Sequence, residues 1–205
     1  MTVKGQATKN RLMDIAERLI LNNGFAAMSI DEVIKEAGIT KGGFFYHFDS
    51  KNALVYALMQ RYREAEAFVF SELFKRAEEL TSDPLQQMLV FMKLFAEMMS
   101  DIEGVHPGCL VASTTYESHQ VNEQVKNITT EIVLDWRNLF REKIDKINLA
   151  YSPATTVSSD DLADMLSTII EGGIIVSRAL NDPSILEKQL MEYRSHIELL
   201  YKAEV

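Results

Sequence analysis

Apolar residues recur at three- and four-residue intervals along almost the whole chain, and no run of strict alternation breaks the pattern. A chain patterned this way buries one stripe of each helix against other helices, so the expected fold class is all-α. Leu12, Ile15, Ala16, Leu19 and Ile20 form the first such stripe, and Asn22-Asn23-Gly24 ends it with residues that tolerate a left-handed turn. Ser29 opens a second helix whose buried face is Ile30, Val33, Ile34 and Ala37, with Glu32 placed for a capping box and Gly38 at its end. Thr40 caps a third, short helix from Lys41 to about His47. Asp49-Ser50 breaks that helix and caps a fourth, from Lys51 to about Leu80, with Leu54, Leu58, Tyr62, Ala65, Val69 and Leu73 on its inner face. Thr81-Ser82-Asp83-Pro84 starts a fifth helix, to about Ser100. Gly104, Pro107 and Gly108 make residues 101–108 a loop; further helices follow at about 109–118, 122–149, 160–181 and 184–202, with a linker-like stretch at 150–159.

The helices over residues 29–37 and 41–47 are separated only by Gly38, Ile39 and Thr40, the pattern of a helix-turn-helix. Gly38 relieves the tight turn and Ile39 plugs the small core beneath it. The third helix is too short and too aromatic to stand alone, so it must be held by the first two, leaving its outer face for a DNA major groove. Gly42 and Gly43 cost that helix roughly 1 kcal/mol each relative to Ala, which fits a backbone that must approach a phosphate or base edge closely. Lys41 and Lys51 bracket the segment and suit phosphate contacts. Phe44, Phe45 and Phe48 read as core.

Net charge is -9, an unfavourable sum for a DNA binder, but it is unevenly spread. Residues 1–51 hold seven Lys/Arg against six Asp/Glu, whereas residues 52–205 hold fourteen against twenty-four. The near-neutral, slightly basic start can meet phosphates while the acidic remainder points away. One cysteine excludes an internal disulfide, no apolar run approaches a membrane span, and the first residues carry no apolar signal core, so a cytoplasmic protein without membrane association is expected.

The run Gly38-Ile39-Thr40-Lys41-Gly42-Gly43-Phe44-Phe45-Tyr46-His47-Phe48, followed by Ser50-Lys51-Asn52-Ala53-Leu54, resembles the DNA-binding signature of the tetracycline-repressor (TetR) family. Gly24-Phe25 and Ser29-Ile30-Asp31-Glu32-Val33 stand at the family's spacing upstream, so the resemblance covers about residues 8–55. It implies a three-helix DNA-binding head over residues 1–50 and a helical effector-binding and dimerisation body over residues 51–205. It implies a homodimeric repressor, with a palindromic double-stranded DNA operator and a small apolar or aromatic effector as partners. By position, Thr40, Lys41, Gly42 and Gly43 would face DNA from the start of the recognition helix. Phe45, Tyr46 and His47 would follow as DNA-binding residues, Tyr46 and His47 contacting bases or phosphates, and Ser29 and Lys51 would hold the DNA backbone. Two positions depart from the family pattern: Phe45 stands where a phosphate-binding Tyr is common, and Met28 where Thr is common.

The rest of the chain says less. Met88, Phe91, Met92, Phe95, Met98 and Met99 lie on one expected helix, and Trp136 and Phe140 on another. Such residues line adaptable apolar pockets or simply fill a core. Phe91, Phe95, Cys109, Trp136 and Phe140 are the candidates for the effector pocket that the resemblance implies. The segment 162–180 is apolar almost all round and contains Gly172-Gly173. With the last helix it is the expected dimer interface, represented by Ile169, Gly172, Gly173 and Ile197. Cys109 follows Gly108 at an expected helix start, where a thiolate is stabilised, and Gly108-Cys109-Leu110-Val111 resembles a segment of TetR-type proteins that includes electrophile and oxidant sensors. A regulator acting through Cys109 modification, or through a protein partner, is therefore an alternative; a buried core cysteine is the plainer one. Cys109 with His106 or His119 could also make a cysteine hydrolase, but no third orienting group is evident. No P-loop, dinucleotide-binding glycine pattern or metal-ligand cluster occurs, so neither enzymatic activity, cofactor nor metal is expected.

Overall fold

The computed structural model describes residues 3–202. Among them nine α-helices and no strands occur: α1 (Val3–Asn23), α2 (Ile30–Ala37), α3 (Lys41–Phe45), α4 (Lys51–Leu80), α5 (Pro84–Ser100), α6 (Leu110–Tyr116), α7 (Glu123–Ala150), α8 (Ser159–Leu180) and α9 (Ser184–Leu200). The expected all-α fold and order of helices hold. None of the described helices is long and apolar enough to cross a membrane. The chain divides into two compact units, Met1–Ala65 with Pro107–Ile132 and Glu66–His106 with Val133–Val205.

In the first unit α1 buries Leu12, Met13, Ile15, Ala16, Leu19 and Ile20. Gly24, at φ 87°, closes that helix through its amide on the Ile20 carbonyl at 2.8 Å. Arg61 on α4 pairs with Asp14 (2.6 Å) and Glu17 (2.8 Å) on α1. Thr114 of α6 and Thr129 of α7 are buried with their hydroxyls 3.1 Å apart, each also bonded to a carbonyl of its own helix.

The second unit is built around five phenylalanines. Phe70 and Phe74 of α4, Phe91 and Phe95 of α5 and Phe140 of α7 are all buried. Phe74 and Phe91 stack in parallel at 3.9 Å, and Phe70 meets Phe91, Phe95 and Phe140 edge-on. Lys143 caps the cluster with its ammonium 4.4 Å from the Phe74 ring centre and 2.9 Å from Glu78. Helix α9 packs on α5 and α8. Tyr193 donates to the Leu162 carbonyl at 2.9 Å from a fully buried position, and burial pushes its phenol far above the ordinary value, with Tyr201 adding to the rise.

Along α4 the structure corrects the expected inner face. Leu54 and Leu58 are buried with Val55 and Met59, but farther on the buried residues are Phe70, Phe74 and Ala77, while Ala65 is exposed and Val69 and Leu73 are half-buried. At about 100° per residue the second set lies roughly a quarter-turn round the helix from the first. One helix serves two cores, so no single stripe describes it.

Candidate nucleic-acid interface

Local chemistry sets the α2–α3 segment. The Ser29 hydroxyl accepts from the Glu32 amide at 3.1 Å and starts α2. At its end Gly38 adopts φ 63°, its amide reaches the Lys35 carbonyl at 3.3 Å, and the Ile39 amide reaches the Ile34 carbonyl at 3.3 Å. That pair of bonds is a Schellman motif, which turns the chain sharply. Thr40 then accepts from the Gly43 amide at 3.1 Å and starts α3. Ser50 accepts from the Ala53 amide at 3.1 Å and starts α4. Two short helices thus follow one another across a three-residue turn.

Phe44 is fully buried and Phe48 nearly so, anchoring α3 from below. Phe45 is 42% exposed and Tyr46 73% exposed, so the expectation that Phe45 is core is wrong. Phe45 lies one position on from Phe44, which turns it about 100° away from the buried side. Lys41, Gly42, Phe45 and Tyr46 share the exposed face. His47 is half-buried beside Tyr46 (rings 5.0 Å apart), and its Nδ1 is buried without a hydrogen-bond partner among the described residues. Lys9 places its ammonium 5.6 Å from the Phe48 ring centre. Met28 is buried, so the position where the family often has a hydroxyl holds a core side chain here.

Lys51 does something sequence reading did not foresee. Its ammonium donates to the Phe25 and Ala26 carbonyls and lies 4.1 Å from the Phe25 ring centre. Glu117, the residue after α6, completes the arrangement: its carboxylate accepts from the Phe25 amide at 2.8 Å and the Ala26 amide at 2.7 Å. Burial pulls the Lys51 ammonium below the usual lysine range, and the Glu117 charge opposes that pull. A Cβ at Gly24 would lie 2.6 Å from a Glu117 oxygen, so the clasp needs glycine there for space as well as for its positive φ. Both partners of Glu117 lie more than ninety residues away in sequence, so no local signal marks it. Lys51 and Glu117 together fix the turn between α1 and α2, and the lysine expected on the DNA backbone is engaged within its own chain.

The other expected site residues distribute as follows. Phe91, Phe95 and Phe140 come together in the phenylalanine cluster. Trp136 lies in the same unit, half-buried, donating from Nε1 to Glu66 at 3.0 Å. Cys109 belongs to the other unit, where it is 5% exposed with the Tyr62 hydroxyl 3.8 Å from its sulfur. That burial contradicts the open approach expected for a reactive thiol. His119 is exposed and lies 3.3 Å from the Gln120 side-chain nitrogen. Among the expected interface residues, Ile169 is half-buried and a Cβ at Gly172 would meet nothing within 4 Å. Gly173 is buried, with a Cβ position 2.8 Å from Leu186, and Ile197 is fully buried. Those two pack inside one chain.

Comparison with known proteins decides what the α2–α3 segment belongs to. Residues 12–58 match the family model for bacterial regulatory proteins of the tetR family, and residues 84–190, half of the chain, match the C-terminal domain of LmrA/YxaF-like transcriptional regulators. The chain belongs to the TetR family. Among its relatives is the transcriptional regulator LmrA of Bacillus subtilis, 26% identical over 174 residues, covering 83% of this chain and 86% of LmrA. The transcriptional repressor NemR of Escherichia coli is 27% identical over 120 residues, 58% of each chain. The fold also matches solved structures: a TetR-family regulator from Agrobacterium tumefaciens (TM-score 0.80, 21% identity, 97% of this chain and 100% of that one) and reduced NemR (TM-score 0.77, 20% identity, 97% and 99%). As a TetR-family member the chain is a DNA-binding transcriptional regulator, and α2–α3 is its helix-turn-helix.

Proposed function

We propose that this protein is a homodimeric repressor whose α3 enters the major groove of a near-palindromic operator and which a small apolar or aromatic effector releases. The observation that carries the reading is the exposed face of Lys41, Gly42, Phe45 and Tyr46 on a helix too short to exist without its two caps and its buried Phe44. Lys41 supplies charge to a phosphate, the bare Gly42 backbone allows close approach, and Tyr46 presents a hydroxyl to a base edge or phosphate. Thr40, Gly43 and Ser29 form or start the helices that present this face, Lys51 braces it, and His47 lies at its edge. Residues 1–50 act as the DNA-binding head and residues 51–205 as the effector-binding and dimerisation body. Repression is favoured by the likeness to NemR, itself a repressor.

A surface stripe on α8 supports the dimer. Met165, Ile169, Gly172, Val176 and Leu180 recur at four- and three-residue steps, all exposed or half-buried in the single chain. Such a stripe is one helix face, and the bare Gly172 at its centre lets a second helix approach closely. Leu199 of α9 is also exposed, at 66%. The aromatic and methionine-rich α5, with Phe140 and Trp136 of α7, supplies the chemistry for an apolar or aromatic effector. Selection of bound duplexes from random DNA tests the reading. It should return paired, inverted half-sites with centres about 34–36 Å apart or a multiple of that, and single, unpaired half-sites would refute the dimeric mode.

A further inference from the structure

We propose that Phe45 is a specificity residue that reads the 5-methyl group of thymine in each operator half-site. The inference rests on the placement of α3 in the major groove argued above. A single exposed phenylalanine is ordinary on a protein surface, but this one has a defined place. On the α3 wheel Phe45 lies between Lys41 and Gly42, with Tyr46 beyond Gly42, so it stands inside the exposed face rather than at its rim. Gly42 has no side chain of its own, and beyond its chain neighbours the nearest atom to where its Cβ would stand is Thr40 Oγ1 at 3.9 Å, so the backbone beside Phe45 is open on that side. Phe45 also meets the fully buried Phe44 edge-on, with ring centres 5.4 Å apart and planes at 85°. The ring thus rests with one edge on a buried neighbour and the rest of its surface open to solvent.

The chemistry of the groove identifies the partner. Phosphates and base edges offer hydrogen-bond donors and acceptors, and a phenyl ring can satisfy none of them. Pressing it on such a group strips water without replacing the hydrogen bond. The thymine 5-methyl is the one apolar group the major groove presents. A phenylalanine displayed at the centre of a groove-facing surface thus favours thymine over cytosine opposite it, a discrimination made without a hydrogen bond.

The test uses the full-length protein and a duplex obtained by in vitro selection with it. Each thymine is replaced in turn by deoxyuridine, which removes only the methyl group. Burial of one methyl-sized group, about 0.8 kcal/mol, corresponds to roughly fourfold in affinity at 25 °C. One thymine per half-site should show that loss, and changing both half-sites should cost about fifteenfold. With Phe45→Ala the same replacements should have no effect; with Phe45→Leu, which keeps an apolar side chain should Phe45→Ala bind too weakly to measure, the loss should shrink but persist. The proposal is overturned if deoxyuridine costs the wild type and the variants the same at every position, the result expected of a ring resting on sugar or phosphate. It is equally overturned if the selected half-sites lack a shared thymine. Failure of the wild type to select any duplex would instead remove the reading of α3 on which the proposal stands.

Discussion

Replacing Glu117 probes the contact that ties the turn between α1 and α2 to the end of α6. Its carboxylate accepts from the Phe25 and Ala26 amides at 2.8 and 2.7 Å. Hydrogen bonds to a charged group contribute about 1.5–3 kcal/mol each. Ala26 is exposed, so water replaces most of its bond in a variant, whereas the Phe25 side is part-buried and loses more. Glu117→Ala should therefore cost about 2–3 kcal/mol. For a chain of this size that is a fall of roughly 5–10 °C in the midpoint of thermal unfolding. Glu117→Gln keeps one acceptor and faces the other amide with a second donor, so about half the loss is expected. Gly24→Ala is the complementary perturbation, since its Cβ would meet a Glu117 oxygen at 2.6 Å on a backbone of φ 87°. Combined with Glu117→Ala, the steric part of that cost disappears and only the backbone strain remains, so the two changes should be less than additive. Circular dichroism melts of the wild type and the four variants read this directly. Strict additivity, or a Glu117→Ala melt within a degree of wild type, would show that the carboxylate is a solvated surface charge and that the clasp holds nothing.

Three further outcomes follow from the geometry. Thr40→Ala should destabilise the first unit by about 1 kcal/mol through loss of the α3 cap, and weaken DNA binding more than melting predicts because α3 is only five residues long. Gly173→Leu should lower the melting temperature by driving a side chain into Leu186, whereas Val176→Glu should keep its helical content, sediment as a monomer and lose the concentration-dependent part of the wild-type melting temperature. Tyr193→Phe should cost about 1–2 kcal/mol by leaving the Leu162 carbonyl without its buried donor, as read by denaturant unfolding.

Legibility in the sequence followed the range of each interaction. The caps at Ser29, Thr40 and Ser50 and the turn at Gly38 act over three to five residues, so residue type and spacing located them and with them the helix-turn-helix. The buried face of α4 departs from the expected stripe beyond Tyr62 because periodicity assumes one neighbour along the whole helix. By residue type Phe45 reads as core, because composition cannot say which of two adjacent phenylalanines points inward; only its place in the family signature sets it among the DNA-binding residues. Glu117 and the inward turn of Lys51 were invisible, since their partners lie far away in the chain. Gly172 and Gly173 looked equivalent, yet one faces open space and the other Leu186, a distinction set by the α8–α9 crossing.

The most direct measurement of the central claim is the salt dependence of DNA binding by wild type and Lys41→Ala. If Lys41 on α3 neutralises one phosphate, the variant should bind all sequences more weakly, and the slope of log affinity against log salt should flatten by about one unit per Lys41 contact. Unchanged affinity together with an unchanged slope would mean that the exposed face of α3 does not meet DNA.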